Sequence, residues 1–388
     1  MATLLLILIY IAFISLGLPD SIIGVSWPAM RNQFGLSLEY GGYISLIVTI
    51  GTIVSSLLSG IIIKKLKTGK VITFSILLTS LALLGYSFSD NYVFILILAL
   101  PLGFGAGSID TALNNYVALH YKPHHMNWLH SFWGVGATIG PMIMAFYLLD
   151  SNWQKGFLII AAIQFILMLL MTLSLPLWRK SEEKQQLDIP HITGNHLPIR
   201  KIKGVGYALL IFLVYCAIEF SIGIWGSSYL VLSKDLIISK AAQIVTVYYL
   251  GITLGRFISG LVSFIASNKM LIFGGISFLF LGGLLLIMSN SITMTTIAFG
   301  ILGIGLAPIF PSMIHDTPKN FGTENSQYII GYQIAFAYIG SAIFPALFGI
   351  LYSYVSIDIF PISIFTLSAL LLLLILILHS KIRKNENV

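Results

Sequence analysis

Four strongly charged residues interrupt the long apolar runs of this sequence: Asp20, Asp110, Glu219 and Arg256. A charge in apolar surroundings costs several kcal/mol, on the order of 3 or more, unless it is paired or hydrated. A carboxylate in such a place favours its neutral form and can bind and release a proton as its hydration changes. The three carboxylates therefore predict proton binding, with Asp110 and Glu219 favoured over Asp20.

The carboxylates share helical faces with small and aromatic residues. One face holds Gly103, Gly107, Asp110 and Asn114; another holds Tyr215, Glu219, Ile222, Gly226 and Tyr229, with Trp225 beside it; a third holds Asp20, Gly24, Trp27 and Arg31. A cavity that binds a polar solute typically has aromatic rings that contact the apolar faces of the solute and a few polar groups that orient it. The candidate substrate-binding residues are Asn114, Trp27, His130, Trp133, Tyr215, Glu219, Trp225, Tyr229 and Gln333.

Structural roles remain as alternatives for each of these residues. A buried carboxylate can satisfy donors at a helix junction, and a tryptophan can simply pack against the next helix. Arg256 is expected to bridge the two halves of the chain by pairing with Asp110, because both lie about ten residues, ~15 Å, from the same end of their helices. Protonation of Asp110 would then release Arg256, which makes the pair a candidate gate.

The composition places these residues in a membrane. Hydrophobic residues make up 57% of the chain and its mean hydropathy is +0.95. A run of about 20 apolar residues crosses a bilayer core as a helix. Twelve such runs are predicted, at 3–30, 40–63, 71–89, 92–119, 128–149, 156–178, 204–232, 241–266, 270–288, 292–314, 327–353 and 358–379. We expect the first to be a retained span, kinked at Pro19 just before Asp20.

Loop charge predicts the orientation of these spans. Sixteen lysines and arginines lie in loops on the side of the two termini and four lie on the other side, so both termini are expected to be cytoplasmic. This asymmetry accounts for the net charge of +7 and gives no reason to expect nucleic-acid binding. Cys216 is the one cysteine. Among the histidines at 120–130, Pro123 interrupts the segment and the adjacent His124 and His125 cannot share a helix face, so no metal site is expected.

The chain divides into two similar halves. A polar segment, 179–203, is expected to be a cytoplasmic linker between an N-terminal six-helix bundle, 1–178, and a C-terminal six-helix bundle, 204–388. Sequence elements repeat at an offset of 200 residues: "GTIVSSLLSG" (51–60) matches "GITLGRFISG" (251–260), and "LGFGAG" (102–107) matches "LGIGLA" (302–307). Small residues recur where membrane helices pack, but matches at one offset indicate duplication.

In this organisation the chain resembles the major facilitator superfamily, and within it the fucose-permease-like branch of proton-coupled sugar symporters. The similar stretches are "LGFGAGSIDTALNNYV" in span 4, "LHSFWGVGATIGP" in span 5, "YCAIEFSIGIWGSSYL" in span 7 and "LGRFISG" in span 8. The resemblance implies an all-α membrane protein whose twelve transmembrane helices form two pseudo-symmetric six-helix bundles, with spans 1, 4, 7 and 10 lining a central cavity. One departure is Lys64, which stands where the family's loop between spans 2 and 3 usually carries an aspartate.

The predicted function is secondary active transport by alternating access, as proton-coupled symport of a small polar solute such as a monosaccharide. A proton-coupled exporter of drugs or lipophilic metabolites is the nearest alternative, since a broad apolar pocket would suit the many Phe, Met and Ile residues. A sensor that binds solute without transporting it is a further alternative. No covalent chemistry, cofactor or nucleotide-binding domain is predicted. We expect a monomer in the bilayer, in the cell membrane.

Overall fold

A computed structural model describes residues 2–121, 123–150, 152–185 and 202–386. In these residues the chain is helical, because a backbone that crosses a bilayer must satisfy its own hydrogen bonds. The helices are α1 (Ala2–Asp20), α2 (Ile22–Phe34), α3 (Tyr40–Leu66), α4 (Thr68–Ser87), α5 (Tyr92–His120), α6 (Pro123–Tyr147), α7 (Trp153–Gln185), α8 (Val205–Leu232), α9 (Ile238–Val262), α10 (Asn268–Ile287), α11 (Ile292–Leu306), α12 (Ile309–Phe321), α13 (Thr323–Tyr354) and α14 (Phe360–Glu386). Short 3-10 turns, Leu148–Asp150 and Ile357–Ile359, precede α7 and α14.

The twelve predicted spans are confirmed, since the described residues hold twelve helical segments long and apolar enough to cross a membrane. Two of these segments are broken. The first is α1 followed by α2, and the break at Ser21 comes two residues after Pro19, whereas the kink was predicted just before Asp20. The tenth is α11 followed by α12, with the break at Pro308.

The predicted repeat appears as two equivalent helix crossings. At the α3–α5 crossing, a Cβ added to Gly103 would lie 1.9 Å from the carbonyl oxygen of Val48. At the α9–α11 crossing, a Cβ added to Gly303 would lie 2.1 Å from the carbonyl oxygen of Tyr248. Both members of the second pair follow the first by 200 residues, so the two bundles use the same close backbone approach. The prediction of two pseudo-symmetric six-helix bundles is confirmed.

In the described residues the two halves meet chiefly along the helix pairs α6 with α9, α3 with α13 and α2 with α8. Contacts are tight at the far end, which we define as the end holding the turns 35–39 and 355–359. There a Cβ added to Gly349 would lie 3.2 Å from the Cα of Glu39, and nearer to mid-span one added to Gly24 would lie 2.1 Å from the carbonyl oxygen of Gly223. The hydroxyl of Ser353 in α13 also donates to the carboxylate of Glu39 and accepts from its backbone N–H at 3.1 Å. The far end is therefore closed.

The first residues of the linker predicted at 179–203 are helical in the structure. Helix α7 continues to Gln185, and α8 begins after Gly204, which has a left-handed φ of 92°. Polar helix formers such as Glu182 and Lys184 extend α7 beyond its apolar part. Residues 186–201 lie outside the described residues, and the exact bundle boundaries stay a prediction.

Candidate functional site

A small cavity lies between the halves, against the break in the first span. It is lined by residues from α1, α2, α3, α5 and α8, namely Pro19, Asp20, Ile23, Ser45, Val48, Thr49, Leu102, Ala106, Phe220 and Ile224. Of spans 1, 4, 7 and 10, which were expected to line the cavity, the first three contribute residues to this lining and span 10 contributes none. Its volume of about 40 Å³ holds a few water molecules and no sugar-sized solute.

Asp20 is the charged residue of the cavity wall. The break between α1 and α2 places it there, directly after Pro19. Its Oδ2 accepts a hydrogen bond of 2.9 Å from the indole Nε1 of Trp133 in α6. Among the described residues, no basic side chain pairs with it within 4 Å. Asp20 therefore carries a carboxylate that a neutral donor, and not a cation, stabilises.

Asp110 lies one helical turn beyond the cavity residue Ala106 on α5. The side-chain amide of Asn114 donates to its Oδ1 at 2.8 Å, so the predicted Asp110–Asn114 face brings these two residues together. The hydroxyl of Tyr338, from α13 in the other half, donates to its Oδ2 at 2.6 Å. In the described part of the chain Asp110, like Asp20, has no basic partner within 4 Å.

Glu219 forms a buried ion pair with Arg256. Nη2 of Arg256 in α9 lies 3.1 Å from Oε1 of Glu219 in α8, and both side chains are at most 10% exposed. The predicted pairing of Arg256 with Asp110 is therefore wrong for this structure. The reason is helix order: α9 packs against α6 and α8, whereas Asp110 is held by a residue of α13.

Arg256 nevertheless lies at the boundary between the halves. Its guanidinium carbon is 5.0 Å from the ring centroid of Trp133, within the range of a cation–π contact. Its Nη1 also donates to the backbone carbonyl of His130 at 3.4 Å. One chain of polar contacts thus runs from Asp20 through Trp133 and Arg256 to Glu219 and crosses from one half to the other.

Two further candidates, His130 and Tyr215, border this chain of contacts. The His130 ring packs edge-on against Phe13 at 5.7 Å. Tyr215 is 1% exposed, and its ring lies 5.6 Å from that of Phe310. Its hydroxyl faces the ion pair of Glu219 and Arg256. Neither residue lines the cavity; both pack beside the chain of polar contacts. Their contact with a solute stays a prediction.

Trp27 and Trp225 pack between helices. Both are fully buried, and each indole N–H is already used. Trp27 donates to the carbonyl of Leu38 at 3.0 Å, and Trp225 donates to the carbonyl of Pro345 at 2.8 Å. Both bonds lie near the closed far end, outside the cavity lining. We therefore leave these two tryptophans out of the proposed site.

Tyr229 and Gln333 are also placed away from the cavity. The ring of Tyr229 stacks on Phe360 with centroids 4.9 Å apart. The side-chain carbonyl of Gln333 accepts a hydrogen bond of 3.1 Å from Thr317, within the C-terminal half. Contact of these two residues with a solute stays a prediction without support from the cavity.

The sequence analysis missed several cavity residues. Ser45 and Thr49 are one turn apart on α3, a span that was not expected to line the cavity. Phe220 follows Glu219 directly, so it points from a different face of α8. The polar pair in an otherwise apolar run was an available signal, whereas nothing in the sequence marks Phe220 among 25 phenylalanines.

No cluster of three or more metal-ligating side chains is present in the described residues. His124, one of the histidines considered above, has a side chain that lies outside this description. The polar groups at the cavity are carboxylates, hydroxyls and an indole, which suit hydrogen bonding to a solute and proton binding.

Comparison with known proteins identifies the family. The Major Facilitator Superfamily model matches residues 9–239. The chain belongs to the Major Facilitator Superfamily, and it is a membrane transporter, not an enzyme.

Several members of this family resemble the chain. The glucose/mannose transporter GlcP of Bacillus subtilis (strain 168) is 23% identical over 313 residues, which cover 78% of this chain and 77% of that protein. A bacterial homologue of the human lysosomal transporter Spinster, solved in an inward-facing and occupied conformation, has a TM-score of 0.73 at 10% identity over 100% of this chain and 97% of that one. The transporter FucP, solved in the outward conformation, has a TM-score of 0.61 at 18% identity over 94% and 97%. At these identities the solved structures show the shared fold.

Proposed function

We propose that the protein is a secondary active transporter that works by alternating access and couples proton movement to symport of a small polar solute such as a monosaccharide. The similarity to a glucose/mannose transporter along most of the chain supports the substrate class. The polar network at the boundary between the halves supports the coupling, because a change at the cavity can reach both halves through it.

One observation carries the proposal: Asp20 is a cavity carboxylate held by an indole N–H and by no cation. Such a group can lose and gain a proton without leaving an arginine or lysine charge unpaired. Glu219 differs, because protonating it would strand the buried charge of Arg256. We therefore assign proton binding to Asp20, with Asp110 as a second site, and assign Glu219 the task of holding Arg256.

The cavity wall fits a solute with hydroxyl groups. The ring of Phe220 offers an apolar surface, while Asp20 and the hydroxyls of Ser45 and Thr49 offer hydrogen-bonding groups. The hydroxyl of Thr49 donates to the carbonyl of Ser45 at 2.9 Å and keeps acceptor capacity. A monosaccharide has the matching mixture of ring faces and hydroxyls.

The size of the cavity and the closure of the far end support alternating access. With Gly24 against Gly223, a solute has no path through the far end. In this conformation the cavity, about 40 Å³, is smaller than a sugar, which supports movement of the halves before a solute enters. We propose that they rock about the cavity and open one end at a time.

The location and orientation form part of the same proposal. We propose a monomer in the cell membrane with both termini cytoplasmic, on the strength of the loop charges. The closed far end then faces outward.

The proposal is tested by uptake into proteoliposomes under an imposed pH gradient. We expect monosaccharides to accumulate and lipophilic cations not to accumulate. Transport of lipophilic cations would instead indicate the drug exporter. Asp20→Asn should abolish accumulation and retain exchange down a solute gradient. Asp90→Asn, which changes an exposed carboxylate in the turn before α5, is the matched control and should accumulate solute like the wild type. Accumulation at the wild-type level by Asp20→Asn would overturn the assignment of the proton.

A further inference from the structure

Pro19, which precedes Asp20 at the end of α1, leaves a backbone carbonyl without its helical partner. In an α-helix, the carbonyl of residue 15 accepts from the N–H of residue 19. Residue 19 is Pro19, which has no N–H. The carbonyl of Ser15 therefore needs another donor, and Ser15 is only 1% exposed, so water does not provide one freely.

Gln164 supplies that donor. Its side-chain amide Nε2 donates to the carbonyl oxygen of Ser15 across 149 positions of sequence. The hydroxyl of Ser15 returns a hydrogen bond of 2.8 Å to Oε1 of Gln164. Gln164 is fully buried on α7, and both the nitrogen and the oxygen of its side-chain amide form hydrogen bonds with Ser15. A polar side chain buried in a membrane helix is costly, so its two hydrogen bonds to a single residue, Ser15, indicate a specific role and not simple packing.

The same stretch of α1 is fixed from the other side by α6. A Cβ added to Gly17 would lie 2.1 Å from the carbonyl oxygen of Trp133, so the two backbones touch. The indole of Trp133 then bonds Asp20. The break is thus held between α7, through Gln164, and α6, through Trp133. Both contacts fall on the last turns of α1, within five residues of Asp20.

We infer that Gln164 is a positioning residue for Asp20: its paired hydrogen bonds to Ser15 hold the kink that aims the Asp20 carboxylate at Trp133 and the cavity. Gln164 does not line the cavity, and its helix α7 is not among the spans expected to line it. This inference rests on the proposed function only where it assigns the proton to Asp20; the role of Gln164 in positioning Asp20 does not depend on it.

Other titratable groups surround Asp20 and must be unchanged in any test. They are Asp110 on α5, Glu219 on α8, Tyr249 on α9 and Tyr338 on α13. None of them contacts Gln164 or Ser15 in the hydrogen bonds of the described residues. A substitution at Gln164 therefore acts on Asp20 through the kink.

The test compares Gln164→Leu with the wild type in proteoliposomes, with the pH profile of uptake as the readout. Loss of the Trp133 hydrogen bond removes a donor that favours the charged carboxylate. We expect the pH midpoint of uptake to move to higher pH by about half a unit or more, and gradient-driven accumulation to fall at least about threefold, which is ~0.7 kcal/mol. Ser80→Ala is the matched control, since Ser80 donates to the carbonyl of Ala161 on the same helix α7 at 2.9 Å without touching α1. Its pH profile should equal that of the wild type.

A second variant separates positioning from stability. Adding Pro19→Ala to Gln164→Leu returns an N–H to residue 19 and gives the Ser15 carbonyl its ordinary helical partner. We expect this double variant to regain thermal stability while its pH midpoint stays displaced, because the helix straightens. If the double variant regains stability and the wild-type pH profile together, or if Gln164→Leu keeps that profile, Gln164 is only a structural residue and the inference is wrong.

An infrared measurement makes the result independent of transport. The carbonyl band of the protonated Asp20 carboxyl, assigned by its loss in Asp20→Asn, reports titration of Asp20 in purified protein. A displaced band titration in Gln164→Leu supports positioning even if no solute is transported, in which case the proposed function alone fails. An unchanged band titration overturns the positioning role.

Discussion

The Tyr338 hydroxyl lies 2.6 Å from Oδ2 of Asp110 and links the two halves of the protein one helical turn from the cavity. A hydrogen bond to a charged group is worth about 1.5–3 kcal/mol, roughly twice a neutral one. The link therefore stabilises conformations in which the halves are close relative to those in which they are apart. Protonating Asp110 would weaken it.

The first prediction concerns this link. Tyr338→Phe should lower the free energy of unfolding by about 1.5–3 kcal/mol, and in a double-mutant cycle it should couple to Asp110→Asn by about 1 kcal/mol or more. Unfolding of the purified protein in detergent measures both quantities. Tyr92→Phe is the control, because Tyr92 donates to the carbonyl of Tyr40 within one half. Equal coupling of Asp110→Asn to both tyrosine variants would contradict the link.

The second prediction concerns the buried ion pair. Glu219→Gln leaves the charge of Arg256 buried without a partner and should cost about 3–5 kcal/mol of stability. The double variant Glu219→Gln/Arg256→Gln removes both charges and should recover most of that loss. Thermal unfolding of the three proteins measures the pattern. A loss in the double variant equal to the sum of the two single losses would show that the residues act independently.

The third prediction concerns closure of the far end. Cysteines at Glu39 and Ser353, whose backbone N and hydroxyl lie 3.1 Å apart, should form a disulfide under mild oxidation. That disulfide should stop solute uptake, and reduction should restore it. The native Cys216 is buried and so does not interfere. Adding Gly24→Leu should slow the cross-link by forcing α2 away from Gly223, whereas Gly206→Leu, at a position with open space around it, should leave its rate unchanged.

The fourth prediction concerns topology. A reporter domain fused after Val388 should behave as cytoplasmic, as should one inserted near Gln185, since basic loops stay on the cytoplasmic side. Reporter activity or fluorescence in whole cells distinguishes the two sides. Signals from the outer side at both positions would reverse the orientation and place the closed far end inward.

The sequence predicts the local features well because they depend on neighbouring residues. Apolar runs define the twelve spans, Pro19 marks the neighbourhood of the break at Ser21, and helical period brings Asn114 to Asp110. Repetition at an offset of 200 residues predicts even the matching glycine contacts of Gly103 and Gly303.

The sequence predicts the contacts between helices poorly. Equal depth in the membrane suggested that Asp110 pairs with Arg256, but depth does not say which helix is the neighbour, and Glu219 on α8 is closer. Helical period also placed Trp27 and Trp225 on the charged faces. Their indoles instead donate to backbone carbonyls near the far end. The spacing of residues in the sequence shows which residues share a helix face, but it does not show whether that face contacts a solute or another helix.

The most direct test of the central claim is the movement of protons when solute is added. Proteoliposomes in weakly buffered medium receive a monosaccharide, and a pH electrode records the external medium. Proton symport predicts an alkalinisation that appears with the wild type and with Asp90→Asn, and is lost with Asp20→Asn. Solute entry without any pH change in the wild type would contradict proton-coupled symport.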